Sequence, residues 1–90
     1  MPLSIFKEIL NNTEHYLNSD NPLYKSVAEA LSMSYTEIRK RAKMTQEEIA
    51  EWLFLPVRTY QSWEYGTKKP TAYMKVFVLD ALDMLPKRYK

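Results

Sequence analysis

Between Thr45 and Gly66 the sequence TQEEIAEWLFLPVRTYQSWEYG reads as two short helices joined by a tight turn. Thr45, with Glu48 three residues on, forms a capping-box pattern that starts a helix from Gln46 to Leu53, with Ile49, Ala50 and Leu53 on one face. Pro56 has no N–H and biases Leu55 away from helical geometry, so the chain turns near Phe54 and Leu55 and restarts at Pro56 or Val57. Tyr60 and Trp63 then mark an inward face, which directs Val57, Arg58, Gln61, Ser62 and Tyr65 mostly outward. Gly66 is the only glycine in the chain and stands where a helix end calls for a left-handed residue.

The flanking segments extend the helical pattern. Ser4 to Leu17 places Ile5, Phe6, Ile9, Leu10, Tyr16 and Leu17 on one helical face, with Ser4 available as the cap. Asn21-Pro22 pairs a capping residue with proline at the first helical position, which predicts a second helix to about Ser32 burying Leu23, Tyr24, Val27, Ala28 and Leu31. Ser34 and Glu37 repeat the capping-box pattern ahead of a third helix, where Ile38 and Ala42 share a face among Arg39, Lys40, Arg41 and Lys43. Thr71 caps a last helix from Ala72 to about Leu85, ended by Pro86 and followed by a basic tail over 86–90. Its apolar residues cover more than one stripe, so it needs cover on two sides, from the core and from either the N-terminal helices or a second copy of the protein. An all-α, compact helical bundle is expected, with 1–33 as an N-terminal helical extension packed on the same domain as 34–85.

Composition excludes several kinds of chemistry. There is no cysteine for disulfides, thiol chemistry or zinc ligation. A single glycine leaves no phosphate-cradling loop. His15 is the one histidine; Glu14 beside it points about 100° away around a helix, and no serine or threonine has a base to activate it. No catalytic residue, metal site or cofactor is therefore expected, and the chain does not read as an enzyme. No run approaches the roughly 20 apolar residues that span a bilayer, and MPLSIFKEIL is not a secretory leader, so a cytoplasmic protein without membrane contact is expected. Charge divides along the chain: residues 1–34 hold two Lys against four acids, and residues 35–90 hold eleven Lys or Arg against seven acids. Positive charge thus accompanies the two-helix segment, as it does in nucleic-acid-binding chains.

With these residues in place, Ile38 to Leu82 resembles the Cro and phage-repressor family of helix-turn-helix domains, the xenobiotic-response-element type. The resemblance rests on Ile38-Arg39, Thr45-Gln46-Glu47-Glu48-Ile49-Ala50-Glu51, Leu53, Thr59, Trp63-Glu64, Gly66, Lys69 and Pro70 in fixed register. It implies a lambda-repressor-like bundle with two extra N-terminal helices, in which Gln46 to Leu53 is the positioning helix and Val57 to Tyr65 the recognition helix. By the same resemblance Val57, Arg58, Gln61 and Ser62 contact bases in the major groove. Arg58 would pair with guanine, Gln61 with adenine and Val57 with a thymine methyl. Thr45, Gln46, Thr59, Thr67, Lys68 and Lys69 would hold phosphates, which set register without reading sequence. Arg39 and Glu64 match a buried ion pair of the family. Two positions depart from its commonest pattern: Phe54 stands where glycine is usual, and Pro56 where a Ser or Thr cap is usual.

The expectation is a sequence-specific transcriptional regulator, a repressor, acting as a homodimer on palindromic double-stranded DNA with half-sites roughly 34 Å apart. Its rival is a protein-binding module, such as an antitoxin or adaptor, whose acidic N-terminal helices hold a protein partner while DNA binding is secondary or lost. Each site residue also has a plainer role open to it. Arg58 can contact phosphate or solvent, Gln61 and Ser62 can simply face water, Trp63 reads as core, and Lys40 and Arg41 as a charged helix face.

Overall fold

A computed structural model describes residues 3–85; the side chains of Ser4 and Phe6 and the basic tail 86–90 expected from the sequence lie outside the described residues. Every regular element among the described residues is an α-helix: α1 (Leu3–Asn11), α2 (Thr13–Tyr16), α3 (Pro22–Leu31), α4 (Tyr35–Arg41), α5 (Gln46–Trp52), α6 (Val57–Tyr65) and α7 (Ala72–Ala81). The described residues form two compact units, residues 3–32 with 72–85, and residues 33–71. In the first of these, α7 groups with the N-terminal helices α1, α2 and α3.

In the first unit, the single helix expected over Ser4 to Leu17 is two helices. Asn12 leaves helical geometry at φ −142° and ψ 49°, and the Thr13 hydroxyl donates to the carbonyls of Ile9 and Leu10, at 3.0 and 3.3 Å. Short polar side chains compete for backbone groups in this way, and here they end α1. Helical structure already includes Leu3, so Ser4 is not the cap. Asn21 does cap α3: its Oδ1 accepts from the backbone N–H groups of Leu23 and Tyr24, with Pro22 at the first position. Among the described residues of this unit, Ile9, Val27, Ala28, Ala30, Leu31, Val78, Leu79 and Leu85 are buried and apolar, and Leu23 and Tyr24 are only half-buried. α7 ends at Ala81 rather than near Leu85, because Asp83 takes a left-handed φ of 58° and the N–H groups of Asp83 and Met84 return to the carbonyls of Asp80 and Leu79. That closure is a Schellman motif without glycine.

The second unit is α4, α5 and α6 around Tyr60, which is fully buried with Ile38 and Ile49; Met33, Tyr35 and Ala50 complete its buried set. The Tyr60 hydroxyl donates to the Tyr35 carbonyl at 3.2 Å. The rings of Tyr35, Tyr60 and Trp63 lie 5.3–6.4 Å apart between centroids, Tyr35 and Tyr60 edge to face, so α4 and α6 share an aromatic core. Burial raises the Tyr35 hydroxyl to about 12. Thr45 and Glu48 form both bonds of the capping box at α5, at 3.1 and 2.8 Å. Before α4 only half of the expected box forms: Ser34 accepts from the Glu37 N–H, and no return bond is made.

Candidate nucleic-acid interface

The turn between α5 and α6 is closed by backbone bonds. Phe54, at φ 58°, fills the left-handed position; its N–H donates to the Glu51 carbonyl at 3.0 Å and the Leu55 N–H to the Ala50 carbonyl at 2.9 Å. This is again a Schellman closure, with a bulky residue in the place that favours glycine. The Phe54 side chain is 95 % exposed, so packing does not offset the backbone strain. Pro56, at φ −59° and ψ 142°, is the cap residue of α6, and its carbonyl accepts from the N–H groups of Thr59 and Tyr60. Its lack of a donor costs nothing where the first N–H groups of a helix have no internal partner.

A buried carboxylate ties the three helices together. Glu64, on α6, has a side chain 3 % exposed and receives Arg39 Nε at 2.7 Å and Arg39 Nη2 at 3.4 Å, both from α4. Thr36 Oγ1, also from α4, donates to it at 3.0 Å, and Gln46 Nε2 at the start of α5 donates at 3.1 Å. Burial alone would push the Glu64 carboxyl up, but the hydrogen bonds led by Arg39, with Gln46 and Thr36 among them, hold it down at about 2. The same bonding raises Arg39. Arg39 Nη1 also reaches the Met44 carbonyl at 3.3 Å, fixing the α4–α5 connection.

Gln46 has a second partner. Its Oε1 accepts from Gln61 Nε2 at 3.0 Å, so a line of hydrogen bonds runs from Glu64 through Gln46 to Gln61. Gln61 was expected to face outward; it is half-buried and tied to α5. Ser62 is also half-buried, its hydroxyl donating to the Thr59 carbonyl at 2.6 Å. Arg58 is exposed and makes no hydrogen bond or ion pair among the described residues, and Val57 beside it is half-buried.

Gly66 ends α6 at φ 80°, and Thr67 Oγ1 and the Lys68 N–H both donate to the Ser62 carbonyl, at 3.4 and 3.3 Å. The loop side chains of Thr67, Lys68 and Lys69 are exposed. Thr45 is exposed too, its oxygen accepting from the Glu48 N–H while its hydroxyl proton remains available; Thr59 is half-buried. The start of α5, the outer positions of α6 and the loop after it therefore belong to one unit, linked through Gln46, Gln61 and Ser62.

Thr36 escaped the sequence reading. Its spacing of three from Arg39 places both on one side of α4, and that spacing was the available signal. His15 lies in the other unit, edge-on to Tyr16 at 5.0 Å between centroids. Among the described residues no group of three or more His, Asp or Glu is arranged to hold a metal ion, and no helix is long and apolar enough to cross a membrane.

The chain matches no protein-family model, no curated protein and no solved structure.

Proposed function

We propose that this chain is a sequence-specific DNA-binding transcriptional regulator, a repressor, of the helix-turn-helix type, with α6 as the helix that enters the major groove. The observation carrying the reading is the bond between Gln46 and Gln61, which sets the N-terminus of α5 against the outer positions of α6. Beside that start, α6 exposes Arg58, a side chain suited to guanine. Lys68 and Lys69 follow α6 as exposed cations suited to the neighbouring backbone. Palindromic DNA would be read by two copies of the chain.

Selection of bound duplexes from a random library, followed by titration at several salt concentrations, tests this. A recurring sequence whose binding weakens steeply with salt is the expected result. Absence of any enriched sequence, or of any salt-sensitive binding, defeats the proposal.

A second reading has its own observation. On α7 the side chains of Tyr73 and Phe77, four residues apart, are 57 % and 62 % exposed, with Met74 at 36 %. Such an apolar surface suits a protein partner, as in an antitoxin or adaptor, or a second copy of this chain. Sedimentation analysis of the purified protein separates self-association from a surface awaiting another partner.

A further inference from the structure

We propose that the groove between α2 and the start of α3 binds the guanidinium group of an arginine on a basic partner protein, between the rings of His15, Tyr16 and Tyr24 and the carboxylate of Asp20. The groove lies wholly within the first unit, has a volume of about 570 Å³ and includes these four side chains in its lining. The proposal does not depend on α6 entering DNA and gives the N-terminal helices a task of their own. Its first support is the aromatic wall. His15 and Tyr16 lie 5.0 Å apart between centroids at 89°, and Tyr16 and Tyr24 lie 6.1 Å apart at 78°. Rings set near right angles turn their π faces in different directions, and a cation over such a face is attracted by the ring quadrupole. Tyr16 and Tyr24 are half-buried and His15 is exposed, so the ring surface that packing leaves uncovered opens on the groove.

Charge decides between the two ligands that such a wall can stack, a nucleobase and a cation. Asp20 is exposed on the groove and makes no hydrogen bond or ion pair among the described residues. The Glu8 carboxylate accepts from the Tyr16 hydroxyl and raises it above its ordinary range, so a second negative charge sits at the end of that ring. Residues 1–34 hold two Lys against four acids, and neither Lys7 nor Lys25 lines the groove. A nucleobase brings a phosphate that these carboxylates repel, whereas a cation is drawn in. Among cations a guanidinium fits best, because it is planar, stacks on a ring face and offers paired N–H groups to one carboxylate. The loop that carries Asp20 is pinned at both ends. The N–H groups of Asn18 and Ser19 donate to the carbonyls of His15 and Tyr16, at 3.3 and 3.1 Å, and Ser19 Oγ accepts from the Asn21 N–H at 3.1 Å. Asn21 Oδ1 is committed to the N–H groups that open α3, so of the two neighbours it is Asp20 that meets the cation.

The probe is the peptide acetyl-Gly-Arg-Gly-amide, titrated into the full chain at low salt and followed by ¹H–¹³C ring signals and ¹H–¹⁵N spectra. Saturable shifts at His15, Tyr16, Asp20 and Tyr24 are expected. Citrulline in place of the arginine keeps its shape and removes its charge, and affinity should fall about fivefold or more. Lysine in that place should bind about twofold to threefold more weakly. In the protein, Asp20→Asn and Tyr24→Leu should each weaken binding of the arginine peptide about threefold to fivefold. A thermal melt confirms that the variants are folded; Asp20→Asn alters only an exposed side chain, so the test stands even where Tyr24→Leu unfolds. No saturable shift at these residues overturns the proposal. So does binding of the citrulline or lysine peptide as tight as that of the arginine peptide, or arginine binding unchanged in Asp20→Asn. Octathymidylate shifting the same signals where the arginine peptide does not would assign the groove to nucleic acid instead. Failure of the DNA reading alters none of these outcomes.

Discussion

Arg39 and Glu64, 25 residues apart in sequence, meet at 2.7 Å between Nε and Oε2 and bind α4 to α6, their side chains 17 % and 3 % exposed. A pair this sheltered is asymmetric in its energetics. Removing one partner strands a charge, whereas replacing both with apolar groups is far milder. Arg39→Met is therefore expected to destabilise the protein by about 3 kcal/mol, and Arg39→Met with Glu64→Leu to recover most of that loss. Urea unfolding followed by tryptophan fluorescence measures both; a single-variant cost below about 1 kcal/mol would show the pair to be peripheral to stability.

The same carboxylate sets a pH dependence. Glu64 lies at about 2 in the folded protein against an ordinary value of 4.5. A carboxyl whose folded value is depressed contributes stability in full above its unfolded value and loses it as pH falls toward the folded one. That window runs from about pH 5 down to about pH 2, and the shift corresponds to roughly 3 kcal/mol. Unfolding curves for the parent and Glu64→Gln across this range should converge as the pH falls. Parallel curves would assign the acid sensitivity to other carboxylates.

Phe54 holds a left-handed φ of 58° with its side chain 95 % exposed, so glycine there removes backbone strain without removing packing. Phe54→Gly is expected to stabilise the protein by about 0.5–1 kcal/mol, raising Tm by roughly 3–6 °C. Gly66→Ala is the control in the opposite direction. A Cβ at Gly66 meets nothing within 4 Å, so its expected cost of about 1 kcal/mol comes from the φ of 80° alone. Calorimetry of the two variants decides the matter; a Phe54→Gly protein that melts below the parent would mean that the aromatic ring itself has a stabilising role.

Phe54 also shows where the sequence is legible. Helix starts are announced by side chains that bond the first free N–H groups, so Asn21-Pro22, Ser34 and Thr45 with Glu48 could be read in advance. Helix ends are less visible here, because Lys43, Phe54 and Asp83 take positive φ and carry no glycine signal. Hence α7 stops at Ala81, short of the Leu85 that its apolar pattern predicts. The break after α1 was missed for a related reason: Asn12 and Thr13 are tolerated within helices, and their bonds to the backbone decided otherwise. Within the candidate site, Arg39 and Glu64 were legible only through the register of a resemblance. The link from Gln61 to Gln46 spans 15 residues and depends on where α5 crosses α6, so no local pattern encodes it. A polar residue on the outer side of a helix looks the same whether it awaits a base or is already bonded.

Arg58 separates reading from holding. It stands exposed at the start of α6, with no hydrogen bond or ion pair among the described residues, and no bond within the fold would be lost if it were shortened. Under the proposed function Arg58→Ala should weaken binding to the selected duplex by about 1–3 kcal/mol and relax the preference at one base position. Lys68→Ala and Lys69→Ala act on exposed cations in the loop that follows, where a phosphate contact carries no sequence information. Each should weaken specific and random duplexes alike and reduce the steepness of the salt dependence by about one unit. The melting temperature of all three variants should match the parent, because none of these side chains is buried. Competition titrations with selected and random duplexes at several salt concentrations draw the contrast. If Arg58→Ala lowers affinity equally for both, Arg58 holds phosphate rather than reading a base, and the specificity of α6 must rest on Val57, Gln61 and Ser62.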